Sequence, residues 1–156
     1  MWHVVDTPIG PLRLVAAGGA LTAIEFSPFR DRATDEVTDE EPVLLQAAAQ
    51  LAQYFAGERT EFDLPLAPKG TPFQQRVWAE LVKIGYGQTA SYGDIAHRLG
   101  LTNAASRAVG AANGRNPIPI VVPCHRVIGA DGTLTGYAGG IERKRILLDL
   151  ERPTLV

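Results

Sequence analysis

Ile120-Val121-Val122-Pro123-Cys124-His125-Arg126-Val127-Ile128 is the stretch on which the reading of this chain turns. Apolar β-formers flank it on both sides, a pattern that predicts buried extended structure. Pro123 interrupts the pattern. Proline has no N–H to give to a sheet ladder, so regular pairing is expected to stop there. The break presents a thiol, an imidazole on the next residue and a guanidinium on the one after. Cys124 is the only cysteine of the 156 residues, so it has no internal disulfide partner and belongs to no multi-cysteine metal site. A lone cysteine can be an inert small hydrophobe or a nucleophile. Positive charge from the adjacent His125 and Arg126 would stabilise a thiolate, which favours the second role.

Immediately upstream, Gly114-Arg115-Asn116-Pro117 ends a helix expected from near Asn103 to about Asn113. Its residues are small: Ala104, Ala105, Ser106, Ala108, Gly110, Ala111 and Ala112. A slim helix lets its backbone approach either another helix or a ligand closely. Arg107 is the one long side chain on its first turns. A shorter helix, capped by Ser91 and running to Leu99, precedes it and ends at Gly100. Two short helices joined by a glycine-containing turn suggest a helix-turn-helix. Before them, Thr71-Pro72-Phe73-Gln74 is a capping-box start with proline at the first helical position. Phe73, Val77, Leu81 and Ile84 form its buried stripe, Trp78 lies beside them in the core, and Gly85-Tyr86-Gly87 ends it. Downstream of the central run, Ile128 to Thr133 reads as a tight turn and Gly136 to Gly140 as a loop. Ile141 to Leu150 is a final helix, with Arg143-Lys144-Arg145 on a solvated face.

The first part of the chain reads differently. Trp2 to Val5, Leu12 to Val15 and Leu21 to Phe26 are strands, with a turn at Thr7-Pro8-Ile9-Gly10 and a hairpin at Gly18-Gly19. Ser27 to Glu41 is a polar, acidic loop. Pro42 opens a helix whose apolar face is Leu44, Ala47, Ala48, Leu51 and Phe55, and Gly57 ends it. Phe62-Asp63-Leu64 alternates like a short strand, and Pro65 to Gly70 reads as a linker. The expected division is a domain over residues 1–68 and a second over 69–156.

Charge divides the same way. Residues 1–68 hold four Arg and eleven Asp or Glu, a net −7, whereas residues 69–156 hold eleven Lys or Arg and six Asp or Glu, a net +5. Such asymmetry suggests that only the second part faces a polyanion. No apolar run is long enough for a bilayer and no signal peptide is evident, so no membrane partner is expected. An unpaired cysteine fits a reducing, cytoplasmic setting.

The longer string Asn116-Pro117-Ile118-Pro119-Ile120-Val121-Val122-Pro123-Cys124-His125-Arg126-Val127 closely resembles the active-site signature of the O6-alkylguanine-DNA alkyltransferases. The likeness continues through Gly136-Tyr137-Ala138-Gly139-Gly140 and takes in Ser91-Tyr92-Gly93 and Ser106-Arg107-Ala108-Val109-Gly110 upstream. It covers about Thr71 to Glu151. The resemblance implies an α+β fold: a small N-terminal antiparallel β-sheet domain with a helix, ribonuclease-H-like, and a mainly helical C-terminal domain with a helix-turn-helix of winged-helix type. It implies DNA repair by irreversible, single-turnover transfer of an alkyl group, chiefly methyl, to Cys124 from O6 of guanine, and from O4 of thymine. His125 would be the base, acting through a water, Glu151 would orient it, and Asn116 would hold the turn. Tyr92 would donate to the departing base. The carbonyls of Val127 and Cys124, the N–H of Ala138, the wall formed by Tyr137, and Gly139 would bind the flipped-out base. Arg107 would fill the vacated stack, with Ser106, Ala105, Ala108, Gly110 and Arg115 facing the minor groove of double-stranded DNA. The DNA is itself the alkyl donor, so no cofactor is implied, and the chain lacks the cysteines that hold zinc in some relatives. The resemblance further implies a monomer, with clustering on DNA. The turn between Tyr92 and Arg107 is one residue longer than in many relatives.

Two other classes remain open at this point. A non-catalytic lesion sensor or regulator would use the helix-turn-helix alone, but sensors that resemble this family lack the cysteine. A Cys-His hydrolase or acyltransferase would need an oxyanion hole and repeated turnover.

Overall fold

In a computed structural model, which describes residues 1–30, 37–38 and 40–152, the chain divides into two compact units, Met1–Lys69 and Gly70–Val156. The expected α+β composition holds in both.

The first unit is built on an antiparallel sheet of β1 (Trp2–Val5), β2 (Leu12–Ala17) and β3 (Ala20–Phe26), with β2 in the centre. Leu12, Leu14, Leu21 and Ile24 are fully or almost fully buried. Gly18 and Gly19 take φ of +60° and +80°, the left-handed pair that a two-residue hairpin with matching strand twist requires. Helix α1 (Pro42–Phe55) packs on this sheet, with Glu41 capping it by accepting from the N–H groups of Val43 and Leu44. Its buried face is Val43, Leu44, Ala47, Leu51 and Tyr54. This corrects the predicted face at one end: Tyr54, not Phe55, carries the stripe into the core. Part of the acidic loop, residues 31–36 and 39, lies outside the described residues.

Two further expectations for this unit change. Phe62 to Leu64 forms no strand. The pairing falls later, where Leu21 donates to Pro65 O at 2.8 Å and accepts from Ala67 N at 2.9 Å. The segment read as a free linker therefore extends the sheet edge at Leu66, because Pro65 lacks a donor but keeps its carbonyl.

The second unit begins with α2 (Pro72–Leu81), whose Thr71–Gln74 capping box is present on both arms. Val77, Trp78 and Leu81 are buried, and Trp78 Nε1 donates to Ala112 O at 2.8 Å. The helix stops at Leu81, so Ile84 joins the core from the following turn. A two-residue parallel pair, β4 (Ala90–Ser91) with β5 (Val127–Ile128), ties the region before the first helix of the expected pair to the reactive run. Helix α3 (Tyr92–Arg98) carries a second complete capping box, Ser91 with Asp94. Helix α4 (Ser106–Gly114) starts later than predicted, because Asn103–Ala105 winds as a 3-10 turn with no side-chain cap. Asn103 Oδ1 lies 2.8 Å from where a Cβ on Gly93 would sit, so the missing side chain at Gly93 is what admits this turn. Helix α5 (Ile141–Glu151) closes the unit. Among the described residues no helix is long and apolar enough to cross a membrane.

Candidate active site

The reactive run is buried, as its composition predicts, but it is not extended. Pro117, Pro119 and Pro123 cannot donate to a ladder, and the Asn116 side chain takes the place of a strand partner. Its Nδ2 donates to Val122 O at 2.8 Å, and its Oδ1 accepts from Ile118 N at 3.0 Å. Val122 N donates to Ile118 O at 2.9 Å, which closes a reverse turn with Ile120 at φ +75°. A β-branched residue there costs on the order of 1–3 kcal/mol, which the surrounding packing must hold. The buried Ile118, Ile120 and Val122 supply that packing. Pro123 then makes an inverse γ-turn, with φ −81° and ψ 64°, and Cys124 N donates to Val122 O at 2.8 Å.

Cys124–Arg126 is a single 3-10 turn. At three residues per turn it sends successive side chains in three directions. All three are buried, yet they meet different partners. Cys124, 4 % exposed, faces the Asn116 amide and the charge of Lys144. His125 Nε2 lies 2.7 Å from Glu151 Oε2. Arg126 binds both Glu151 oxygens, Nε to Oε1 at 2.8 Å and Nη2 to Oε2 at 2.9 Å, and donates through Nη1 to Ile84 O at 2.7 Å. Its guanidinium also lies over the Tyr86 ring.

This arrangement corrects the expected source of thiolate stabilisation. Arg126 is committed to Glu151, and the cation that acts on the thiol is Lys144. The solvated face predicted for Arg143-Lys144-Arg145 is wrong for Lys144, which is fully buried. Its Nζ donates to Val127 O at 2.6 Å and Thr135 O at 3.0 Å. The signal was present in the sequence: Lys144, Leu147 and Glu151 are three and four residues apart, and all three are buried on one face of α5.

Electrostatics fix the resting protonation. Burial pushes the Cys124 thiol up to about 11, against smaller opposing effects from Asn116 and Lys144. The resting group is therefore a thiol near neutral pH, and ionisation needs a base. Burial also holds His125 below its ordinary range, so it is neutral. A carboxylate paired with arginine can only accept from Nε2, so the proton sits on Nε2 and the Nδ1 lone pair is free. Nδ1 is buried without a hydrogen-bond partner among the described residues. An uncharged imidazole with one unpaired acceptor is what a general base must be.

A stability prediction follows from the thiol. Unfolding lets Cys124 ionise near 9.0 instead of about 11, so the unfolded state binds fewer protons in that interval. Stability from this group is complete below pH 9 and declines as pH rises toward 11, by about 2–3 kcal/mol in all. Urea unfolding of wild type and Cys124→Ala at pH 8 and pH 10.5 checks this. Wild type should lose more stability than the variant between the two values.

The remaining predicted residues fall into two groups. Tyr92 is half-buried, its Oη 2.5 Å from Thr135 Oγ1, and its ring lies over Gly110 of α4. Val127 and Gly139 are buried, Tyr137 half-buried and Ala138 exposed. Of the two carbonyls expected to meet a base, that of Val127 already accepts from Lys144, and that of Cys124 accepts both from Asn113 Nδ2 at 3.4 Å and from the Val127 N–H, which uses its two lone pairs. Arg107 and Ala108 are exposed on α4 and Arg115 just past its end, and Ala105, Ser106 and Gly110 are half-exposed. Asn113, Lys144 and Thr135 were not among the predicted site residues.

Two family models together match almost the whole chain. Residues 72–153 match the DNA-binding domain of 6-O-methylguanine DNA methyltransferase, and residues 1–68 match its ribonuclease-like domain. A methylated-DNA–protein-cysteine methyltransferase of Mycobacterium tuberculosis is 53% identical over 156 residues, covering 97% of this chain and 92% of the relative. The constitutive methylated-DNA–protein-cysteine methyltransferase of Bacillus subtilis is 47% identical over 157 residues, covering 97% and 94%. The crystal structure of Mycobacterium tuberculosis O6-methylguanine methyltransferase superposes with a TM-score of 0.90 at 51% identity, covering 97% of this chain and 92% of that one. That of Mycobacterium tuberculosis OGT in complex with DNA superposes with a TM-score of 0.88 at 53% identity and the same coverage. Two domain models that together match nearly all of the sequence, and relatives about half identical along nearly their full length, make this chain a member of the O6-methylguanine DNA methyltransferase family.

Proposed function

We propose that this protein repairs DNA by moving an alkyl group, chiefly methyl, from O6 of guanine to Sγ of Cys124. The observation that carries the reading is the buried His125–Glu151 pair, with its free Nδ1 lone pair, on the residue that follows the buried Cys124 thiol. The names of the relatives, and the DNA complex of one neighbour, support DNA as the partner. The exposed arginines on and just past the thin α4 are where the second, basic part of the chain would meet a phosphate backbone.

The thiol gives its proton to His125 through a water, and the thiolate attacks the saturated carbon in line with O6. The sulfur–carbon bond forms as the carbon–O6 bond breaks, and the electron pair stays on the guanine. Tyr92 donates a hydrogen bond to the departing base, which regains a proton from solvent. The thioether is stable, so each molecule reacts once. The base must leave the stack, at a cost of about a few kcal/mol. Arg107 fills the gap while α4, with Ala105, Ser106, Ala108, Gly110 and Arg115, lies in the minor groove. The same displacement at O4 of thymine belongs to the proposal, as does action as a monomer that clusters on DNA.

Duplex DNA with a labelled O6-methylguanine, in tenfold excess over protein, tests it. Label on protein should saturate at one per chain. Continued release of methylated product beyond one per chain would refute the single-use mechanism.

A further inference from the structure

Thr135 lies in the loop between β5 and α5, just before the Gly136–Gly140 motif. Its carbonyl is pinned to α5 by the buried Lys144, which donates to it at 3.0 Å. Its hydroxyl reaches across to α3, 2.5 Å from the Tyr92 phenol oxygen. Among the described residues these two hydroxyls have no other side-chain hydrogen-bond partner. The Tyr92 ring lies over the bare backbone of Gly110, where a Cβ would be only 3.6 Å from the ring. The phenol is therefore fixed on one face by α4 and at its tip by Thr135.

We propose that Thr135 is a positioning residue for Tyr92: its hydroxyl holds the phenol oxygen in place and donates to it once the phenol proton turns toward the departing base. This rests on the role given to Tyr92 above. The two hydroxyls hold two protons, and only one of them lies in the bond between them. A base that leaves with the carbon–oxygen electron pair is a stronger acceptor than an alcohol, so it takes the phenol proton's hydrogen bond. Rotation about the Thr135 C–O bond then lets its own proton replace the lost bond. Linked hydrogen bonds of this kind polarise one another in a buried setting. No proton leaves either residue; the covalent changes are those of the transfer itself, in which the thiol proton passes to His125, the sulfur–carbon bond forms, the carbon–O6 bond breaks and the base regains a proton from solvent. Thr135 acts without touching the reacting atoms.

The test is a double-mutant cycle read by single-turnover transfer from O6-methylguanine duplex. Thr135→Val keeps the side-chain shape and removes the hydroxyl; transfer should slow on the order of 10-fold, as loss of a supporting partner typically does. Thr135→Ser should restore the rate to within about 2-fold of wild type, since it keeps the donor. In a Tyr92→Phe background, Thr135→Val should have no further effect, because the phenol oxygen it serves is gone. Wild-type or faster transfer by Thr135→Val would overturn the proposal, as would a loss that simply adds to that of Tyr92→Phe. Additivity would show that the residue only supports the loop, and so would a fall in melting temperature that Thr135→Ser shares. Should Thr135→Val fail to fold, Thr135→Ala with Thr135→Ser gives the same cycle. If Tyr92→Phe alone transfers at the wild-type rate, the failure lies in the role of Tyr92, and if no variant or wild type methylates Cys124, it lies in the proposed function.

Discussion

His125→Asn should slow transfer at pH 7.5 by about 10²–10⁴-fold, the usual contribution of a positioned general base. The size follows from the thiol. With Cys124 pushed up to about 11, very little thiolate exists near neutral pH unless a base takes the proton. In the variant, hydroxide must do so, and the rate should rise about tenfold per pH unit between pH 7 and 9.5. In wild type His125 is already neutral throughout that interval, because burial holds it below its ordinary range. The ratio of wild-type to variant rate, measured at each pH on the same duplex, should therefore narrow as pH rises. A constant ratio would mean that His125 supports the turn but does not accept the proton.

The second large effect belongs to Glu151. Glu151→Gln removes one charge from a cluster in which Arg126 is bound at two points and His125 at one. Arg126 is 6 % exposed and Glu151 2 %, so the guanidinium is left buried without its counter-charge. Breaking such a pair costs about 3–5 kcal/mol, which for a domain of this size lowers the melting temperature by more than about 10 °C. Transfer should fall as well, because the Gln amide cannot fix the His125 proton on Nε2. The paired change Arg126→Met with Glu151→Leu separates the two effects. It should recover much of the lost stability, since no lone charge stays buried, and leave transfer slow. Recovery of transfer with stability would show that Glu151 matters only for folding.

The parts of this fold that were legible in the sequence are those with local causes. Gly18-Gly19 specifies a hairpin, and the Thr71–Gln74 and Ser91–Asp94 caps mark helix starts within a few residues of chain. The parts that were not legible depend on contacts distant in sequence. Ile118 to Val122 has the composition of a strand, but the amide of Asn116 bends it into a turn. Tyr54 replaces Phe55 on the buried face of α1, where it meets the Phe62 ring. Within the site, Cys124 and His125 stood out from the residues themselves and Glu151 and Asn116 through a family resemblance; the geometry pairs His125 with Glu151 and sets Asn116 by the buried Cys124. The two cations were exchanged. Arg126, next to the thiol's neighbour in sequence, turns away to Glu151, whereas Lys144, twenty residues on, turns in. A 3-10 turn at Cys124 decides this, and nothing in the residue order announces it. Thr135 was missed because its carbonyl and its hydroxyl act separately, one on α5 and one on α3.

Intact-mass and peptide-mass measurement after incubation with duplex DNA containing O6-methylguanine tests the central claim most directly. The account predicts a gain of one methyl group per chain, carried by the peptide with Cys124 and absent in Cys124→Ser. An unmodified chain after the DNA has lost its methyl group, or a methyl group found on any other residue, would contradict it.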